Sequence, residues 1–271
     1  MNRLTVTTGL LLVLVTSAPA SSKSLQIDGS TTVGPICDAF AEVFQKAGFV
    51  ITVKKTGSGD GAAALVDGRC DVAAMSRFMK HKEFSNAVEK GLMPVAHVIA
   101  MDGVCVAVHP ANPIKALTID QIQAIFAGDI TNWSQIGGPD ISIVPISRDT
   151  SSGTFEVFGE LVMKGRSLAG RVETVNSNPA MHARVSTTTG AIGYMGLGFI
   201  DQKVTSVTVD GVSPSRQTIA SGTYPIARPL YLFTDGFPAL GSLMHKFCTF
   251  HLTEKGHEII QAKGFIPLTE Y

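Results

Sequence analysis

The chain of 271 residues is predicted to be an α/β protein built as two lobes. Three observations carry that prediction. Segments with strand alternation and segments with helical apolar spacing succeed one another along the chain, which is the pattern of a sheet with helices packed on it. Two proline-flanked stretches, His109-Pro110-Ala111-Asn112-Pro113 and Tyr224-Pro225-Ile226-Ala227-Arg228-Pro229, interrupt the alternation and suit crossings between lobes. The composition is that of a folded, turn-rich chain: 45% hydrophobic against 16% charged residues excludes intrinsic disorder. The 27 glycines exceed the usual share of about 7% and call for many tight turns and close backbone approaches.

The first twenty residues read as an export signal. Arg3 is their only charge, Gly9 to Val15 is a short apolar core, and Ala18-Pro19-Ala20 is a small-x-small cleavage site. The apolar run is far shorter than the roughly 20 residues needed to cross a bilayer. No cysteine follows it, so a lipid anchor is not expected. The first lobe is then expected from 21–108 plus 226–271, and the second from 109–225.

Within the first lobe, a short strand at 25–27 runs into Gly29-Ser30-Thr31-Thr32 and a helix with Pro35 near its start and Ile36, Phe40, Val43 and Phe44 on one face. A strand at 49–55 leads through Thr56-Gly57-Ser58-Gly59 into an Ala-rich helix. A buried strand at 71–75 ends in Ser76-Arg77, and a charged helix follows at 81–90. Two strands are expected at 94–100 and 103–108. In the second lobe, Thr118-Ile119-Asp120-Gln121 is a capping box opening a helix that ends at Gly128. A strand at 141–146 precedes Arg148-Asp149-Thr150-Ser151-Ser152-Gly153-Thr154, which opens the next helix. Strands are expected at 191–195 and 204–209, and two amphipathic helices at 240–250 and 254–263.

Charge and motifs narrow the function. Lys+Arg and Asp+Glu are both 22, so no basic excess exists to bind nucleic acid by counterion release. Cys37, Cys70, Cys105 and Cys248 form no CxxC or Cys/His metal spacing; three disulfide pairings, or none, are open. His257-Glu258-Ile259-Ile260 ends in Gln261 and so lacks the second histidine of a zinc peptidase. Neither a Gly-x-Ser-x-Gly elbow nor a phosphate-cradling Gly-Lys-Ser/Thr loop is present. No cofactor is expected.

What recurs is a strand ending in a Ser/Thr/Gly turn that opens a helix: Gly29-Ser30-Thr31-Thr32, Thr56-Gly57-Ser58-Gly59 and Ser151-Ser152-Gly153-Thr154. A helix N-terminus offers unpaired N–H groups and about half a positive charge. Hydroxyls add donors, and glycine lets a ligand approach the backbone. Each turn alone is ordinary capping. Three of them, divided between two lobes and joined by Arg148 with its bidentate fork, point to an oxyanion site.

These residues resemble the phosphate-binding proteins of ABC importers, the PstS-like group of periplasmic binding proteins. The resemblance covers nearly all of the chain beyond its first twenty residues. It is carried by Asp28-Gly29-Ser30-Thr31-Thr32-Val33, Gly57-Ser58-Gly59-Asp60-Gly61, Asp71-Val72-Ala73-Ala74-Met75-Ser76-Arg77, the run from Leu117 to Asn132-Trp133, Arg148 to Thr154, and Ala191-Ile192-Gly193-Tyr194. It implies a two-lobed type II periplasmic binding protein clamshell that holds phosphate, or a related tetrahedral oxyanion, in the interlobe cleft. It further implies a periplasmic or secreted monomer that delivers its ligand to an ABC permease and is not an enzyme. By motif position, Ser30, Thr31, Thr32, Ser58, Ser76 and Arg77 would line the site from one lobe and Arg148, Ser152, Gly153 and Thr154 from the other.

One position departs from the pattern. Many family members have an Asp after the Ser that ends the third strand, accepting the proton of hydrogen phosphate; this chain has Arg77. Either the change is harmless, or Arg77 adds positive charge and relaxes discrimination against sulfate, with Asp60 or a backbone carbonyl left to accept. Two other readings compete with transport: a secreted adhesion or structural protein that reuses the fold, and a phosphatase-like hydrolase.

Overall fold

In the computed structural model, which describes residues 23–269, the strand–helix alternation is realised. The expected signal peptide lies outside the described residues. The first lobe opens with β1 (Ser24–Gly29), α1 (Gly34–Lys46), β2 (Val50–Val53), α2 (Ser58–Val66), β3 (Val72–Met75) and α3 (His81–Glu89). A long strand, β4 (Pro94–Val108), leaves it. The second lobe holds β5 (Ala116–Leu117), α4 (Ile119–Ala127), β6 (Val144–Arg148), α5 (Gly153–Phe158), β7 (Glu173–Val175), α6 (Asn178–Thr187), β8 (Ala191–Gly196), β9 (Thr205–Ser206), β10 (Thr208–Val209) and α7 (Arg216–Ala220). The chain returns through β11 (Ala227–Asp235) and closes with α8 (Leu243–Thr249) and α9 (Glu254–Ala262).

One curled sheet runs through both lobes in the order β2-β1-β3-β11-β4-β8-β6-β7, with β9 beside β4. β1 pairs parallel with β2 and β3, and β6 parallel with β7 and β8, so each lobe keeps a parallel half whose strand ends open onto helices. Antiparallel β11 and β4 join the halves.

β4 differs from the two strands expected at 94–100 and 103–108. Its first part pairs with β11, and Val104–Val108 pairs with β8. The strand thus stays extended because its partner changes at its middle. Val104, Val106 and Val108 pack in one core with Phe126, Trp133, Phe158 and Tyr194.

Each lobe buries its own core. In the first, Ile36, Phe40 and Phe44 of α1 meet Ile27, Ile51, Phe247 and Ile260. In the second, the Phe158 and Tyr194 rings stack 3.9 Å apart between centroids, and Trp133 donates its indole N–H to the Gly190 carbonyl at 3.1 Å. Burying each such aromatic side chain stabilises its lobe by roughly 1.5–3 kcal/mol. Independent cores let the lobes keep their internal structure whatever their mutual position. All four cysteines are buried as free thiols, and no helix among the described residues is long and apolar enough to cross a membrane.

Candidate functional site at the seam between the lobes

The first lobe contributes three strand ends. After β1, Ser30 Oγ accepts the N–H of Thr32 at 3.0 Å and of Val33 at 3.3 Å. Ser30 therefore shapes the turn, while Thr31 and Thr32 are buried within it. Gly57, at φ 129°, donates its N–H to the Gly29 carbonyl at 2.8 Å and draws the second turn against the first. At the start of α2, Ser58 is fully buried; its Oγ accepts the Ser76 N–H at 3.0 Å and lies 3.3 Å from Ser76 Oγ.

The second lobe meets these residues directly. Asp149 accepts both the N–H and the hydroxyl of Ser151, at 3.0 and 2.6 Å, which folds the turn after β6. Ser152 Oγ accepts the Phe155 N–H and caps α5. Gly153 then lies on Ser58 and Ser76: a Cβ added there would collide with Ser58 Oγ and stand 2.7 Å from Ser76 Oγ. Thr154 Oγ1 is 3.2 Å from Thr32 Oγ1. The Gly59 N–H donates to the Ser151 carbonyl at 2.9 Å, so the two jaws touch.

Arg148 ends β6 and is 2% exposed. Its Nε donates to the Val175 carbonyl at 3.2 Å and its Nη2 to the Asn176 carbonyl at 3.0 Å. Nη1 is buried with no hydrogen-bond partner among the described residues. Burial, and then the nearby Arg228 cation, hold the Arg148 pKa below the ordinary arginine value. Beneath it, Tyr194 accepts the Arg148 backbone N–H at 3.2 Å and pairs with Ser147 Oγ; burial pushes this phenol up to about 12.

Nine of the ten expected residues, Ser30, Thr31, Thr32, Ser58, Ser76, Arg148, Ser152, Gly153 and Thr154, thus gather at one seam. Arg77 is the exception. Its Nη1 and Nη2 lie 2.8 and 2.7 Å from the Glu83 carboxylate, and its Nε 3.1 Å from Glu156 Oε2. Two carboxylates thus offset its charge. Asp60 is exposed on α2 rather than turned into the seam.

Sequence reading passed over Asn178. It begins α6, is fully buried, and donates through Nδ2 to Thr31 Oγ1 at 3.2 Å and Thr32 Oγ1 at 2.9 Å. The signal was there: Ser177 accepts the Ala180 N–H as a cap, and Pro179 sits in the first turn. Asp102 of β4 and Arg228 of β11 were also missed as site neighbours. They form a buried ion pair at 2.8 Å under Thr32.

Two lobes on shared strands, with polar donors from both converging at the seam, define a solute receptor of the periplasmic-binding type. The model of the PBP superfamily domain matches residues 15–255. The chain is 33% identical over 254 residues to the phosphate-binding protein PstS of Bacillus subtilis, covering 92% of this chain and 82% of that one. A putative phosphate ABC transporter substrate-binding protein of Clostridium perfringens, solved with bound phosphate, shares 32% identity at a TM-score of 0.82, covering 91% of this chain and all of the other. An ABC-type phosphate transport receptor of Vibrio cholerae shares 31% at a TM-score of 0.73, covering 89% and 99% of the two chains. The chain belongs to the PBP superfamily and, within it, to the PstS family of phosphate-binding proteins, whose two-lobed clamshell it shares.

Proposed function

We propose that this chain is an extracytoplasmic receptor that captures inorganic phosphate in the interlobe cleft and delivers it to the permease of an ABC importer. In this reading residues 1–20 are removed on export. Two observations carry the proposal together: Thr32 and Thr154 meet across the seam, and the Arg148 that ends the strand leading to Thr154 keeps a buried nitrogen with no partner among the described residues. Asn178 Nδ2 and the guanidinium can only donate, and the Thr31 and Thr32 hydroxyls that accept from Asn178 keep their own O–H groups free to donate. A tetrahedral oxyanion would supply acceptors for these donors. The N-termini of α1 and α2 add the field of their aligned peptides.

Ser30 and Ser152 hold the turns that present these groups, and Gly153 keeps the jaws close enough to share one ligand. Closure follows by population shift, because contacts from both lobes exist only when the cleft is shut. Binding rather than turnover is the reading supported by the partners of the central hydroxyls: Ser58 and Ser76 pair with each other, and Thr32 with Thr154 and Asn178. An activated nucleophile would instead face a histidine or carboxylate base.

Isothermal titration of the chain from residue 21 onward with phosphate tests the proposal. Saturation at one phosphate per chain is expected, with sulfate as the competitor that measures selectivity. Absence of phosphate binding rejects the proposal.

A further inference from the structure

The return strand β11 sets Arg228 in register with Asp102 of β4, close to the point where both strands pass between lobes. Arg228 is 3% exposed and Asp102 fully buried. Arg228 Nε and Nη2 both donate to Asp102 Oδ2, at 3.0 and 2.8 Å. Asp102 is held in turn by the Leu197 N–H, which donates to Oδ1 at 2.9 Å. A salt bridge that only stitched two strands would end there, but this one reaches further. Arg228 Nη2 also lies 3.4 Å from Thr32 Oγ1, the hydroxyl that meets Thr154 from the opposite lobe. The remaining nitrogen, Nη1, is buried with no partner among the described residues.

Arg148 shows the same arrangement, with Nε and Nη2 tied down and Nη1 buried and unpartnered. Each guanidinium has a carboxylate neighbour, Asp102 for Arg228 at 2.8 Å and Asp149 for Arg148 at 3.8 Å, yet each keeps one buried nitrogen without a partner among the described residues. Buried unpaired donors are costly. A single multiply charged acceptor at the seam would satisfy both.

We propose that Arg228, held in place by its ion pair with Asp102, is a second guanidinium ligand of the bound oxyanion, working beside Arg148. The proposal rests on the phosphate-binding reading and adds a residue contributed by the return strand. One anion then touches the first lobe's turns, the second lobe's Arg148 loop and the strand that connects them.

Titration of inorganic phosphate into the wild-type chain and into Arg228→Met tests it, with circular dichroism and thermal melting to establish that the variant folds. Wild type is expected to bind, and Arg228→Met to bind about 10- to 100-fold more weakly, the loss of one charge-assisted contact. A folded Arg228→Met with unchanged affinity overturns the proposal and leaves the phosphate-binding reading intact. A wild-type chain that does not bind phosphate overturns that reading itself. If the variant does not fold, a crystal structure of the wild-type complex decides. Arg228 Nη1 within about 3.2 Å of a phosphate oxygen supports the role. Nη1 beyond hydrogen-bonding reach overturns it, whatever the variant's affinity.

Discussion

Arg77 and Glu156 face each other from opposite lobes, with Arg77 Nε 3.1 Å from Glu156 Oε2. Lys80 approaches the same carboxylate, its Nζ 2.7 Å from Oε1, while Glu83 takes the far edge of the Arg77 guanidinium. The residue that departs from the family pattern is thus part of an interlobe latch. Both side chains of the Arg77–Glu156 pair are largely buried, so the pair is screened less than a surface one. Glu156→Gln is expected to favour the open form and to weaken phosphate binding by about 1 kcal/mol, roughly five-fold. Stopped-flow measurement should place the change mainly in faster release.

Arg148→Ala should be among the most damaging changes at the site. It removes a charge-assisted interaction of roughly 1.5–3 kcal/mol, about 10- to 100-fold in affinity. Arg148→Lys should not restore it. An ammonium cannot donate to the Val175 and Asn176 carbonyls and still present a third nitrogen in the geometry of the guanidinium fork. Calorimetric titration of both variants checks this.

Gly153→Ala addresses closure without touching a charge. The new methyl would meet Ser58 Oγ and Ser76 Oγ of the other lobe, whereas α5 itself tolerates alanine. Phosphate affinity should fall at least about ten-fold, with the melting temperature of the unliganded protein close to wild type. A variant with wild-type affinity would show that the jaws do not need to approach this closely.

His251 gives the stability an acid limb. It is buried, and its Nδ1 lies 2.8 Å from the Cys248 carbonyl, so the neutral ring donates there. Burial holds its pKa below the ordinary 6.5. The folded state therefore binds the proton less readily than the unfolded chain. The stabilisation is fully present above about pH 6.5 and is lost as pH falls toward the lowered value. His97, also lowered by burial, acts with the same sign. Melting temperatures across this range should fall on acidification, and His251→Asn should reduce the slope.

Much of this was legible because it is local. Pro35, Gly57 and the Thr118–Gln121 capping box mark helix starts within a few residues, and the structure has helices there. The Arg148–Thr154 run likewise carries its own turn chemistry. What escaped depends on distant partners. Met101 and Asp102 read as a break between two strands, but Asp102 is paired with Arg228, 126 positions away, and Gly103 lies so close to Ile219 that a side chain there would collide with it. Asn178 was passed over, since an Asn-Pro pair by itself signals no more than a turn. It is instead the first turn of α6, and its amide is fixed by two threonines near the other end of the chain.

Small-angle scattering during a phosphate titration tests most directly whether both jaws grip one anion. The wild-type chain is expected to contract as phosphate is added, with the change complete at one equivalent, while Arg148→Ala shows no contraction at the same concentration. Scattering from the wild type that is indifferent to phosphate would contradict the account.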